Sequence, residues 1–251
     1  MLSGRYALGI SSAILGCMLV ASIWVFQTST ILGCIAIVAT ACTAIALRSL
    51  GNQQREQYEN YYATIAALSR MLQGAHPYTH GHLERVANFA EEVALNLGLS
   101  PDRARQVREA SVLHDIGKIA VDEQILDKPA KLTLEEFEHV KRHSDHGARI
   151  LEPVAHFRAM VPWIRHHHER LDGTGYPDQL SGGDIPLESR IISVVDAFDA
   201  MIGSDEHNGK RPYRVNMTQR EALAELDRCS GTQFDAKVVN AFKALVEGEG
   251  R

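Results

Sequence analysis

The stretch His166-His167-His168-Glu169-Arg170-Leu171-Asp172-Gly173-Thr174-Gly175-Tyr176-Pro177 sets what this chain must fold to hold. Three adjacent imidazoles run into a turn whose Gly173 and Gly175 supply backbone freedom. Upstream stands a second signal, His114-Asp115-Ile116-Gly117-Lys118, after the apolar helical face of Ala110-Ser111-Val112-Leu113. Adjacent side chains diverge on an ideal helix. His114 and Asp115 therefore reach two sides of one site only near a helix end, and Gly117 is expected to break the geometry there. A third signal is Asp196, inside Ile191-Ile192-Ser193-Val194-Val195-Asp196-Ala197-Phe198-Asp199-Ala200-Met201. A carboxylate in so apolar a run is costly unless it is ion-paired or bound to metal.

Outward from these signals the pattern is helical almost throughout residues 63–247, which predicts an all-α domain. Ser100-Pro101 reads as an N-cap with proline in the first helical position. Thr133-Leu134-Glu135-Glu136 and Thr218-Gln219-Arg220-Glu221 read as capping boxes. Asp235 is expected to cap the last helix. Residues 171–186 and 203–212, rich in Gly and Asp, are the expected loops.

The N-terminal part differs in kind. From Met1 to Leu47 the only charged side chain is Arg5. Two apolar runs, about 6–26 and 31–47, are split by Gln27-Thr28-Ser29-Thr30. A helix crossing a bilayer needs about 20 residues, with a range of about 17–25. A two-helix transmembrane hairpin over residues 1–50 is therefore expected. Arg5, Arg48 and Arg55 flank it, which sets both ends and the domain on the cytoplasmic side. The rival is a cleaved signal peptide, although that does not require a second run. Residues 51–62 read as a linker helix with a joint at Gly51-Asn52. Three of the four cysteines lie in the apolar runs and Cys229 stands alone, so no disulfide framework is implied. A net charge of −5 with ordinary charged content gives no sign of DNA binding.

Taken singly, the histidines are ambiguous. His82 in Thr79-His80-Gly81-His82 suits a helix start, His143 after Lys141-Arg142 suits an exposed face, and His167-His168 suits a polar turn. Five imidazoles and two carboxylates without thiolate suit iron or manganese. Seven ligands are too many for one structural zinc. They suit two metals sharing an Asp, an arrangement that serves in-line displacement at phosphorus.

His114-Asp115 with Asp196 resembles the HD phosphohydrolase superfamily, and His167-His168-Glu169 with Gly173-Thr174-Gly175-Tyr176-Pro177 is similar to its HD-GYP branch. Pro77-Tyr78-Thr79, Lys141-Arg142-His143 with Gly147, Arg211-Pro212-Tyr213-Arg214 and Gly231-Thr232-Gln233-Phe234-Asp235 extend the likeness over most of residues 63–245. The resemblance implies an HD-superfamily helical domain at 63–247 and a phosphodiesterase that opens cyclic di-GMP to the linear dinucleotide and often GMP. It implies two divalent metal ions, iron or manganese, on His82, His114, Asp115, His143, His167, His168 and Asp196, with Asp115 as the bridge. Asp115 and Lys118 are the implied catalytic residues. Lys118, Gly175, Tyr176, Arg211 and Arg214 are the implied substrate contacts. His166 is expected outside the ligand set. Some relatives hold a third metal with a Glu four residues before the first His, where this chain has Tyr78. The segment before Arg211 is also longer than is usual, which weakens the two Arg assignments.

Combined with the hairpin, the resemblance places the protein in the bacterial inner membrane as a multi-pass protein with a cytoplasmic catalytic domain. A homodimer and protein partners at the GYP loop are compatible with it. Two other readings stay open: a non-catalytic membrane signalling module binding partners through its GYP face, and an HD phosphohydrolase acting on another nucleotide.

Overall fold

The computed structural model describes residues 14–22, 30–74, 81–203 and 216–248. The chain divides into two units, 1–64 and 65–251. Residues 14–22 form helix α1, and α2 runs over Thr30–Gly74, its last residues counting with the second unit. The Ser22 and Thr40 hydroxyls lie 3.4 Å apart, and each also donates to the carbonyl four residues earlier in its own helix. Such back-bonding satisfies a hydroxyl in an apolar segment. Among the described residues one helix is long and apolar enough to cross a membrane, Cys34–Thr64 within α2. The first expected span, 6–26, lies partly outside the described residues. The joint expected at Gly51-Asn52 is absent, because α2 continues through both residues. One glycine costs a helix about 1 kcal/mol relative to alanine, too little to interrupt one with good helix formers on both sides.

The second unit is all-helical among the described residues, with one isolated bridge between Ser230 and Phe234. Its elements are α3 (His82–Asn96), α4 (Pro101–Leu113), α5 (Glu123–Leu126), α6 (Leu134–Lys141), α7 (His143–Leu151), α8 (Val161–Arg165), α9 (Leu187–Ile202), α10 (Gln219–Arg228) and α11 (Ala236–Gly248). Single 3-10 turns stand at Ile116–Ala120, Phe157–Ala159 and Gly182–Asp184. The expected caps form. Ser100 accepts from the Arg103 N–H, Thr133 and Thr218 close reciprocal capping boxes with Glu136 and Glu221, and Asp235 accepts from the Lys237 N–H at 2.8 Å.

Helix α3 packs on both α4 and α9. Its inner face is Val86, Ala87, Ala90, Val93 and Ala94, and the short alanines let the neighbouring helices approach. Ile191, Ile192, Val194, Val195 and Phe198 face inward from α9. Phe242 of α11 meets Phe198 at 4.8 Å and Phe89 at 5.5 Å between ring centroids, both edge-to-face, which ties three helices together. Helix α7 lies on α8 and on the 3-10 turn at Ile116–Ala120. That seat explains Gly117. Helix α4 has already ended at Leu113, and Gly117 has no left-handed backbone, so it is not the helix breaker expected from the sequence. A Cβ there would overlap the His143 carbonyl oxygen and lie 2.8 Å from its carbonyl carbon. The glycine is what lets α7 come close.

Candidate metal centre

The fold brings the seven expected residues into one place. His82, Asp196 and His114 form one group, His143, His167 and His168 another, and Asp115 groups with His114 and His167. Each group can present ligand atoms within 4.8 Å of one another. Asp115 stands between the two sides, with Oδ2 3.4 Å from His114 Nε2 and Oδ1 3.4 Å from His143 Nε2. His143 is buried rather than exposed, and His82 is both the first residue of α3 and a member of the site. Asp196 keeps 23% of its side chain exposed, so it opens onto solvent more than its apolar run suggested.

Local structure orients the rings. The Nδ1 atoms of His114, His143 and His167 lie 2.6, 2.7 and 2.6 Å from the carbonyls of Ser111, Val140 and Ile164, three residues earlier in each case. These carbonyls belong to the last turns of α4, α6 and α8, where helix acceptors lack intrahelical donors. A ring that donates Nδ1–H there is fixed with its Nε2 lone pair facing inward. His82 begins a helix and is held by a side chain. Its Nδ1 lies 2.6 Å from Asp199 Oδ2, and Asp199 takes two further bonds from Arg85, at 2.6 and 2.9 Å.

The donor set fits divalent cations. His143 Nε2 and His167 Nε2 face each other at 3.4 Å, and both rings have already committed Nδ1–H elsewhere. Two imidazole lone pairs pointed together are unfavourable unless a positive charge sits between them. Burial lowers the proton affinities of His167 and His143, and with neighbouring His143 it pushes His168 down to about 3, so these rings stay neutral. On the other side burial opposes the charged form of His82, but hydrogen-bonded Asp196 and Asp199 outweigh it and raise its pKa to about 9. His114 is also raised, its burial outweighed by Asp115 and Asp196. Burial likewise opposes ionisation of Asp115 and Asp196. Lys118, His114 and His143 overcome it at Asp115, and His114 and His82 at Asp196, so both carboxyls lie well below the usual carboxylate range.

Lys118 Nζ lies 2.5 Å from Asp115 Oδ2, at the rim of the site. Tyr176 stacks on His168 at 4.8 Å and 30°, and the Lys141 ammonium sits 5.6 Å from the Tyr176 ring centroid. Gly175 is buried against the chain it follows. A Cβ there would lie 2.5 Å from both Arg170 N and Glu169 Cα. Buried Glu169 pins the same loop by accepting from the Asp178 N–H at 2.7 Å. His166 turns away from the groups and meets Asp178 at 2.8 Å. Arg211 and Arg214 lie outside the described residues. Sequence reasoning missed Arg85 and Asp199. The available signal was their spacing, each three residues after a member of the site on the same helix.

A family model described as HD domain matches residues 66–238, more than half of the chain. The chain belongs to the HD domain family. Among curated relatives, the 3'3'-cGAMP-specific phosphodiesterase 3 of Vibrio cholerae is 37% identical over 71% of this chain and 38% of its own length. The cyclic di-GMP phosphodiesterase response regulator RpfG of Xanthomonas campestris is 38% identical over 79% of this chain and 53% of its own. A cyclic di-GMP phosphodiesterase of Thermotoga maritima is 37% identical, with shares of 75% and 50%. The chain thus spans about half, or less, of these relatives' length. Among solved structures, the HDGYP protein Bd1817 of Bdellovibrio bacteriovorus superposes with a TM-score of 0.53 at 21% identity, covering 66% of this chain and 52% of that one. At that identity the likeness speaks for the helical fold.

Proposed function

We propose that this HD-domain protein is a metal-dependent phosphodiesterase of the HD-GYP branch that opens cyclic di-GMP to the linear dinucleotide, with GMP as a further product. The observation that carries the reading is the double cluster itself: two sets of three residues, with the two Asp115 oxygens turned to opposite sides. His82, His114 and Asp196 would hold one divalent ion, His143, His167 and His168 the other, with Asp115 shared. Iron or manganese suits this nitrogen and oxygen set. When bound, such a pair supplies an activated water at neutral pH and offsets charge on the phosphoryl oxygens.

The chain's own residues supply the rest. The tethered imidazoles hold the donors in place before substrate arrives. Lys118, beside Asp115, sets a positive charge where negative charge grows on the phosphate. Burial, with Asp115 and Asp196 nearby, raises the Tyr176 pKa, so its hydroxyl would serve substrate as a hydrogen-bond donor. Arg211 and Arg214 would grip the dinucleotide by charge-assisted hydrogen bonds and stacking.

Membrane anchoring belongs to the same proposal. The apolar Cys34–Thr64 segment of α2 supports one span. The run at 6–26 would be the second of a hairpin in the bacterial inner membrane, with the domain on the cytoplasmic side. A homodimer, and partners meeting the GYP loop, would use the domain's outer surface.

The test is anaerobic purification with elemental analysis and chromatography of cyclic di-GMP reaction mixtures. Two ions per chain and release of the linear dinucleotide are expected. Asp115→Ala should abolish turnover and leave at most one ion per chain. Full metal occupancy and turnover in that variant would overturn the reading. The Vibrio cholerae relatives named for 3'3'-cGAMP favour a second substrate of the same class. Competing the two cyclic dinucleotides at equal concentration separates these cases.

A further inference from the structure

Four histidines of the site present Nε2 inward, but they are held in two different ways. Three are tethered to helix-end carbonyls of neighbouring backbone. His82 is held by a side chain 117 positions away, and that side chain is ionic. Asp199 is buried on α9, three residues after Asp196, so both carboxylates project from one stretch of that helix. The Asp196 carboxylate lies 3.3 Å from His82 Nε2 and the Asp199 carboxylate 2.6 Å from Nδ1. The imidazole is thus gripped at both nitrogens by adjacent turns of α9. Arg85, one turn after His82 on α3, closes a bidentate fork on Asp199, Nε to Oδ1 and Nη2 to Oδ2. That fork fixes the plane of the carboxylate.

We propose that Asp199, locked by Arg85, is a positioning residue that builds only the His82–His114–Asp196 side of the centre. The inference rests on the two-metal reading above. A carboxylate acceptor on Nδ1 fixes the ring tautomer and makes Nε2 a stronger donor than a neutral carbonyl would. The opposite side owes nothing to this pair, since His143 and His167 take their orientation from α6 and α8. The two sides therefore differ in what sustains them, and loss of Asp199 converts a two-metal protein into a one-metal protein.

The test needs no substrate. The full chain is stripped with chelator and titrated with Mn(II), following stoichiometry by elemental analysis and the ions by electron paramagnetic resonance. The parent should take up two Mn(II). Asp199→Asn, nearly isosteric, should bind the first ion as the parent does and the second about 10–100-fold more weakly. At one equivalent its spectrum should be the six-line signal of an isolated Mn(II), as for His82→Ala. Arg85→Gln keeps the carboxylate but frees its plane. It should weaken the same ion selectively and to a smaller degree, and it carries the test if Asp199→Asn does not fold.

Two Mn(II) bound with parental affinity in Asp199→Asn, or equal weakening of both ions, would overturn the proposal. Equal weakening would mark Asp199 as a plain strut between α3 and α9. Failure of the parent itself to bind two ions would instead refute the proposed function, so the two failures are distinguishable.

Discussion

Replacing Gly117 with alanine adds one methyl group at the seat of α7. Its Cβ would lie 2.8 Å from the His143 carbonyl carbon and overlap the attached oxygen and the Gly147 amide nitrogen. Ordinary contact begins at 3.4 Å, so the carbonyl carbon alone demands a retreat of 0.6 Å, and the closer carbonyl oxygen and amide nitrogen demand more. All three obstacles are backbone atoms, so no side-chain rotation relieves the clash. Overpacking of this kind costs about 1–3 kcal/mol. In a domain of this size that lowers Tm by about 2–4 °C per kcal/mol. The displaced residue is His143 itself, so the variant should also lose metal. A misplacement near 1 Å can cost about 100-fold in rate, and a loss of at least about tenfold in kcat/KM is expected for Gly117→Ala. Calorimetry, elemental analysis and cyclic di-GMP turnover on one preparation test all three effects. A variant with parental Tm, full metal content and parental turnover would refute the claim that Gly117 exists to admit α7.

Lys118→Met should retain both ions but lower kcat by about 100-fold or more, the usual cost of one lost charge-stabilising donor; loss of metal instead would assign Lys118 to holding Asp115. Acid should empty the two sides unequally. His82, raised to about 9, must give up a proton to bind metal, whereas His143, His167 and His168 are already neutral at pH 7. Affinity for one of the two Mn(II) should therefore fall by up to about tenfold for each pH unit below 9, through His82. Titrations between pH 6 and 9 that show parallel losses at both sites would contradict this. Phe242→Ala should cost about 3–5 kcal/mol of stability in denaturant unfolding, because the ring ties α3, α9 and α11 together; unchanged stability would disprove its core role.

The features legible in the sequence were mostly local. Ser100, Thr133, Thr218 and Asp235 announce their caps within a few residues, because the acceptor and its N–H lie one turn apart. His114, Asp115 and Asp196 stood out because charge in an apolar helix needs a reason. Asp199 had the same setting yet was passed over. Its partner His82 is 117 positions away, and only the packing of α3 on α9 pairs them. Gly117 was assigned the wrong task for a similar reason. A glycine read along its own chain looks like a break, whereas its role lies in a helix that begins 26 residues later. Gly51-Asn52 shows the reverse error, where a local propensity was too weak to interrupt a long helix.

The three carbonyl tethers have a consequence for the order of events. The last turns of α4, α6 and α8 point their acceptor ends at one spot, and a helix C-terminus carries partial negative charge. Two ionised carboxylates, Asp115 and Asp196, share that spot. The negative groups of the centre are matched by Lys118 and by His82 and His114, whose proton affinities are raised. On the two-metal reading, divalent ions would take the place of those protons and leave net positive charge facing a phosphodiester. On the proposed reading, binding of the nucleotide would thus depend on metal supply.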